Sequence, residues 1–249
     1  MESKTLFDEY EQLIAPTRAR FAASPGPQFL ESPTVDAIQM ELFLLYFCAI
    51  GYHTTRPVEG WINRSADRCE ALGLPELARA LHSHARAEAG HDLMMVADVG
   101  SLATHWTSRY QSPVNADEFL SLQPTQGALR YCQVHEENIA SNSPYAQIAI
   151  EYEIELLPLR FGERLIARCV ELLGDDILSC LSFLTEHVVL DVGHTKFNER
   201  ELKKLLAQDP TRLPKLVAAG SAILDAYAQF WGDCIQLAEE HSRLLQHVR

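Results

Sequence analysis

Apolar residues recur every three or four positions along most of the chain, and no stretch alternates apolar and polar residues as strands do. This periodicity predicts an all-α protein. The helices are expected at roughly 2–22, 34–56, 58–73, 75–103, 126–140, 144–173, 175–207 and 211–246. The long stretch at 104–125 lacks the pattern and is predicted to be a surface loop on one domain spanning 1–249.

Prolines and glycines separate the predicted helices. Pro75 and Pro144 stand where a proline is tolerated, at the first turn of a helix. Pro158 falls inside a predicted helix, where the lost amide hydrogen should kink it.

The helix that starts at Pro75 carries ionisable residues on its apolar face. The inward stripe consists of Leu77, Leu81, Met95, Val99 and Leu102. Between these apolar residues, on the same face, lie His84, Glu88 and His91. The motif E-x-x-H at 88–91 would place a carboxylate and an imidazole one helical turn apart.

The helix predicted over 175–207 repeats this pattern. Ile177, Leu181 and Leu184 begin its inward stripe, and Leu202 and Leu205 resume it. Between them stands H-x3-D-x2-H, formed by His187, Asp191 and His194. At 100° per residue, the three side chains point within about 60° of one another.

A third polar interruption lies on the helix that starts at Pro144. Ile148, Tyr152, Leu159 and Ile166 mark one face, and Glu155 lies on it. Glu151 and Glu153 are close in sequence, and spacing alone leaves them as alternatives.

Three carboxylates and three imidazoles on inward faces need a positive counter-charge, because an ionised carboxylate buried without a partner costs several kcal/mol. Few lysines or arginines lie beside them, and Lys196 points off the stripe. Metal ions would supply the charge. Mixed carboxylate and imidazole ligands without cysteine favour an iron or manganese pair within a helical bundle over structural zinc, calcium or magnesium.

Composition narrows the function further. Hydrophobic residues make up 47% of the 249 residues, which is enough to bury a sizeable core. The net charge of −13 argues against a surface that binds nucleic acid or an anionic membrane. The longest uncharged apolar run, 42–52, is shorter than the roughly 20 residues that span a bilayer. The acidic start lacks the features of a secretory signal, and the six cysteines form no C-x-x-C pair. These features predict a cytoplasmic protein without a membrane or nucleic-acid partner.

The two motifs resemble those of the haem-oxygenase-like diiron oxidases, an iron-containing redox enzyme family. The resemblance covers about 40–207 and rests on the segments 87–92 and 190–194, with His187 before the second. The 32 residues from Glu155 to His187 are also typical of the family, and for this reason Glu155 is preferred over its two neighbours.

This resemblance implies a haem-oxygenase-like bundle of about seven or more helices without haem. It implies two iron ions, dioxygen as co-substrate, and oxidation of a small substrate resembling an amino acid or a fatty acid. The reaction would be C–C cleavage, desaturation, decarboxylation or N-oxygenation, in a biosynthetic pathway. The implied ligands are Glu88, His91, Glu155, His187, Asp191 and His194. Glu59 and His84 remain open as an additional ligand.

The sequence leaves two other functions possible. The motif Asp191-x-x-His194 suits a ferritin-like di-metal protein, although the third histidine and the number of helices argue against it. A metal-free hydrolase of the thiaminase-II type would need a cysteine nucleophile, and no cysteine stands in a recognisable site.

Further expectations concern the substrate and the assembly. Tyr152, Phe183 and Leu159 are expected to line a partly apolar cavity, with Arg160 or Arg168 holding a substrate carboxylate. The last helix offers an apolar stripe that could serve as a homodimer face. The remaining histidines are expected to be surface or packing residues: His53, His82, His105, His135, His241 and His247.

Overall fold

The computed structural model describes residues 5–247, and this part of the chain is helical, without strands. The predicted all-α class is confirmed. The helices are α1 (Leu6–Ala22), α2 (Pro25–Glu31), α3 (Ala37–Thr55), α4 (Val58–Ala71), α5 (Pro75–Glu88), α6 (His91–Tyr110), α7 (Ala116–Leu120), α8 (Gln126–Ala140), α9 (Gln147–Leu157), α10 (Glu163–Leu173), α11 (Ser182–Gln208) and α12 (Leu213–His247). The predicted first helix begins at residue 2, which lies outside the described residues.

Two helices form the centre of the bundle. Helix α3 is apolar on nearly every side and is buried along most of its length. Helix α12 is the longest, and it packs against α1, α2, α3, α8 and α9. Much of its apolar stripe is buried inside its own chain, including Leu216, Ile223 and Phe230. A homodimer therefore stays a prediction.

The helix predicted over 75–103 is two helices. Helix α5 ends at Glu88, and α6 begins at His91. Gly90 between them has a φ of 88°, in the left-handed region that residues with a Cβ rarely adopt. The motif E-x-x-H therefore spans a change of helix direction rather than one continuous turn.

Other boundaries also differ from the prediction. Much of the expected loop at 104–125 is helical, because α6 continues to Tyr110 and α7 follows it. Helix α2 was missed, since its Pro-Gly-Pro start suggests a break. At Pro158 the chain forms a π-helical turn (Pro158–Gly162), which accommodates the missing amide hydrogen without ending the helical path. A 3₁₀ segment (Asp175–Cys180) precedes α11.

Within residues 5–247, no helix combines the length and apolar character needed to cross a bilayer.

Candidate metal centre

Glu88 lies between two groups of possible metal ligands. The first group adds His84, Glu155 and His194, and the second adds His91 and His187. Within each group, every residue offers one donor atom, and these atoms lie within 4.8 Å of one another. The two oxygens of Glu88 face different groups, because Oε1 is 3.2 Å from His194 Nδ1 and Oε2 is 3.0 Å from His91 Nδ1.

The first group joins three helices. His84 comes from α5, Glu155 from α9 and His194 from α11. Glu155 Oε1 lies 2.9 Å from His84 Nε2 and 3.5 Å from His194 Nδ1. His84 was an open alternative in the sequence, and the structure places it among the nearest donors.

The second group joins the start of α6 to α11. The rings of His91 and His187 have centroids 4.7 Å apart. His187 Nδ1 lies 2.7 Å from the carbonyl oxygen of Phe183. A carbonyl only accepts hydrogen bonds, so Nδ1 carries the proton and the lone pair of Nε2 is free for a cation.

The structure places the other candidate ligands at different distances from this centre. Asp191 belongs to neither group, but it is buried and its Oδ1 lies 3.4 Å from His194 Nδ1. Glu59 is exposed at the start of α4 and belongs to neither group. Glu153 is buried on another face of α9, where it accepts hydrogen bonds from Tyr10 and Arg18 of α1.

Glu151 is the residue of this centre that sequence reasoning did not choose. It lies one turn before Glu155, and its Oε2 is 3.9 Å from His84 Nε2. Gln147, another turn back, donates to Glu151 Oε1 and lies 2.8 Å from the buried His135. Positions 147, 151 and 155 are four residues apart, and this i, i+4 spacing is the signal that could have found the row.

Hydrogen bonds from outside the two groups hold these side chains in place. Asn198 donates to Glu155 Oε2, and Thr195 donates to the backbone carbonyl of Glu155. Asp98 of α6 accepts from the amide and hydroxyl of Ser182 and from the amide of Phe183, at 2.7–2.9 Å. This cap fixes the start of α11 to α6, and so places His187 opposite His91.

Burial and neighbouring charges shift the pKa values of the acidic and basic groups in the centre. Asp191 and Glu88 raise the pKa of His194 to about 10, against the effect of burial. Burial disfavours the His84 cation, but Glu155 and Glu151 raise its pKa to about 9. Burial raises the pKa of Glu155 to about 7 and that of Glu151 to about 8. Protons and metal ions would therefore compete for the same donor atoms.

The donor set fits a pair of divalent cations. Four buried atoms in the centre, His84 Nε2, Glu155 Oε1, Asp191 Oδ1 and His194 Nδ1, make their charged contacts with one another or with Glu88 and Glu151, at 2.9–3.9 Å. Asp191 Oδ2 is buried without a hydrogen-bond partner. Metal coordination would satisfy all five atoms. Two divalent ions would balance Glu88, Glu155, Asp191 and an ionised Glu151. Carboxylate and imidazole donors without thiolate suit iron or manganese.

A cavity with about 80 Å³ of space for water-sized molecules opens beside the centre. Glu88, Glu155, His187 and Asp191 form part of its wall, and Phe183 lines it as predicted. The other predicted lining residues do not, because Leu159 is exposed and the Tyr152 hydroxyl donates to Glu11 on α1.

The two arginines proposed for a substrate carboxylate do not line this cavity either. Arg160 is exposed within the π-helical turn. Arg168 bonds to Glu171 and to the carbonyl of Ser32.

The other histidines have structural contacts. His53, His82, His105, His135 and His241 each have a hydrogen-bond or ion-pair partner outside the two groups. The side chain of His247 lies outside the described residues.

No protein-family profile and no curated protein sequence matches the chain. Solved structures do match its fold. A domain of unknown function with a heme oxygenase-like fold from Shewanella denitrificans OS217 aligns with a TM-score of 0.75 and 16% identity, over 96% of this chain and 94% of that one.

Two other solved structures align almost as completely. A TenA homolog from Pseudomonas syringae pv. tomato DC3000 gives a TM-score of 0.67 at 16% identity, over 92% of this chain and 91% of that one. A CADD-like protein of unknown function from Nostoc punctiforme PCC 73102 gives 0.62 at 16% identity, over 92% and 98%. The chain therefore has the haem-oxygenase-like fold, as the motifs predict, and likeness at this identity shows the fold alone.

Proposed function

We propose that this protein is a non-haem diiron oxidase or oxygenase, which activates dioxygen to oxidise a small organic substrate. The observation that carries the proposal is the position of Glu88. Its two carboxylate oxygens face two different groups of donors, so one residue would bridge two cations. A pair of metal ions held by carboxylates and imidazoles inside a helical bundle is the arrangement that supports dioxygen chemistry.

The ligands in this proposal are the six predicted residues, Glu88, His91, Glu155, His187, Asp191 and His194, together with His84. When bound, two ferrous ions would supply the electrons and the open positions at which dioxygen reacts. The chain's own part is to orient these donors and to hold the substrate beside them.

The surrounding residues would keep the ligands in the productive orientation. The carbonyl of Phe183 keeps the proton of His187 on Nδ1, and Asn198 holds one oxygen of Glu155. Glu151 stands beside His84, where the hydrogen bond from Gln147 fixes it, and its carboxyl group could exchange a proton with the first group.

The two alternative functions find less support. A thiaminase-type hydrolase would need a cysteine at the cavity, and none of the residues found to line it is a cysteine. A ferritin-like store would take up iron beyond two ions per chain, and the haem-oxygenase-like fold differs from the four-helix ferritin bundle.

Anaerobic titration with iron(II) tests the proposal. About two ions per chain should bind tightly, and mixing with oxygen should oxidise both, as followed by the iron absorbance and an oxygen electrode. Glu88→Ala should lose both ions, whereas His187→Ala should keep the ion of the first group. Folded protein that binds no iron would refute the proposal, and accumulation of many iron(III) ions per chain would favour storage.

The same titration with manganese(II) identifies the native metal. Iron should bind to both positions and consume oxygen. If only manganese supported oxygen consumption, the two-metal centre would stand, but the assignment of iron would be wrong.

A further inference from the structure

We infer that the substrate carries an uncharged apolar tail, alkyl or aryl, which lies in a second chamber behind Phe183 while its reacting end faces the metal centre. Only the position of the reacting end, beside the metal centre, rests on the proposed function. The second chamber is a separate feature of the structure.

The first cavity changes character from one side to the other. Its ionisable lining residues are those at the metal centre, on α5, α9 and α11. The lining side chains from α3, α4, α6, α8 and α12 are apolar apart from hydroxyl groups. They are Thr54, Thr55, Val58, Met95, Tyr131, Tyr227 and Phe230. A substrate in this cavity would therefore meet charge at one end only.

A second, smaller chamber with about 40 Å³ of space for water-sized molecules adjoins the first. The two share Pro158, Phe183, His187 and Tyr227 as lining residues. Beyond this shared wall, the second chamber is lined by apolar side chains and one glycine: Phe47, Leu157, Phe161, Gly162, Leu165, Leu184 and Trp231. Such a surface would bind an apolar group and exclude a charged one.

The lining of the two chambers also indicates what the tail lacks. Among the residues that the structure describes as lining them, there is no lysine and no arginine. A second carboxylate or a phosphate on the substrate would find no cationic partner there, so its burial would be unfavourable. These linings favour an alkyl or aryl tail over one that carries a second acidic group.

Phe183 forms part of the wall between the two chambers. Its ring packs against His187, with centroids 4.0 Å apart, and its backbone carbonyl bonds to the same imidazole. A tail that passes Phe183 would therefore lie close to a proposed ligand, which would place the adjoining carbon atoms near the metal pair. The depth of the second chamber would then set the preferred chain length.

Fluorescence quenching by brominated probes tests the inference. Trp231 lines the second chamber, whereas Trp61 and Trp106 line neither. A bromine atom that contacts an indole quenches its emission. Below its micelle concentration, ω-bromododecanoate should quench Trp231 and bind at least tenfold more tightly than ω-bromohexanoate. The Trp231→Phe variant should lose this quenching.

A matched pair of variants locates the tail. Leu184→Phe fills the second chamber and should weaken binding of the longer probe at least fivefold, while the shorter probe is unaffected. Leu172→Phe makes the same change on α10 outside both chambers, and it should leave both probes unchanged. If Leu184→Phe does not fold, Leu184→Ala enlarges the chamber and should tighten binding of the longer probe.

The outcomes separate this inference from the proposed function. Equal affinity for the two probes, or quenching that persists in Trp231→Phe, would overturn the tail site even if two iron ions bind and consume oxygen. Conversely, chain-length-dependent quenching in a protein that binds no iron would leave the tail site standing and refute the diiron proposal. Tight binding of lysine with no binding of either probe would also overturn the inference.

Discussion

Glu153 should be required for stability and dispensable for metal binding. It is buried in α9 and accepts three hydrogen bonds from α1. One comes from the Tyr10 hydroxyl at 2.8 Å, and two come from the Arg18 guanidinium at 2.7 and 2.8 Å. Replacing it with alanine would remove all three bonds and leave the Tyr10 hydroxyl buried without this acceptor.

The size of the effect follows from these contacts. Removing one partner of a buried ion pair costs about 3–5 kcal/mol, because the other charge stays buried. Arg18 keeps its bidentate bonds to Glu11, so the loss should lie near the lower value, about 3 kcal/mol. For a chain of this length, that corresponds to a fall of about 6–12 °C in melting temperature.

Urea unfolding and iron titration of Glu153→Ala measure the two effects separately. The free energy of unfolding should fall while iron uptake stays at the wild-type value. The exposed Glu163→Ala on α10 is the matched control and should change stability by less than about 0.5 kcal/mol. A loss below about 1 kcal/mol in Glu153→Ala, or a loss of iron with stability intact, would refute the reasoning.

A double-mutant cycle with Arg18 tests whether the loss of stability comes from the Glu153–Arg18 ion pair. Glu153→Leu with Arg18→Leu removes both charges, so the double variant should be more stable than the sum of the single changes by at least about 2 kcal/mol. Strict additivity would show that the two residues do not act as a pair.

Three further predictions concern the centre and its surroundings. Asp191→Ala and His194→Ala should each lower the iron content from about two ions to about one per chain, with the helical circular dichroism retained. Unchanged iron would contradict their assignment. Burial lowers the pKa of His135 from 6.5 to about 3. Between these two pH values the side chain is neutral in the folded protein and becomes protonated when the protein unfolds. Stability should therefore fall as pH falls from about 6.5 towards 3, by up to about 1.4 kcal/mol per pH unit, and urea unfolding of His135→Phe should show a shallower slope. Gly90→Ala should lower the stability of the protein by about 1 kcal/mol, because Gly90 has a positive φ. Gly100→Ala, inside α6, should raise it by up to about 1 kcal/mol. Thermal unfolding that ranks the two variants in the other order would contradict this prediction.

The three glutamates of α9 show how far periodicity can assign roles. Glu153 lies two positions from Glu155, and in the structure it faces α1, where it accepts hydrogen bonds from Tyr10 and Arg18. Glu151 lies four positions from Glu155 and faces the same way, so spacing cannot separate these two. The choice depends on α5 and α11, which bring His84 between the two carboxylates and Asn198 to Glu155 alone. Such contacts between distant segments are set by packing and leave no local pattern.

The break at Gly90 explains why the E-x-x-H motif suits two ions better than one. Across the break, Glu88 Oε2 still lies 3.0 Å from His91 Nδ1, so the two residues share the second donor group. The left-handed glycine starts a new helix at His91, whose imidazole lies beside that of His187, while the other oxygen of Glu88 faces His194. A glycine that looks like a small defect in the helical pattern therefore separates the two donor groups, and Glu88, the last residue of α5, becomes the position from which one carboxylate reaches both.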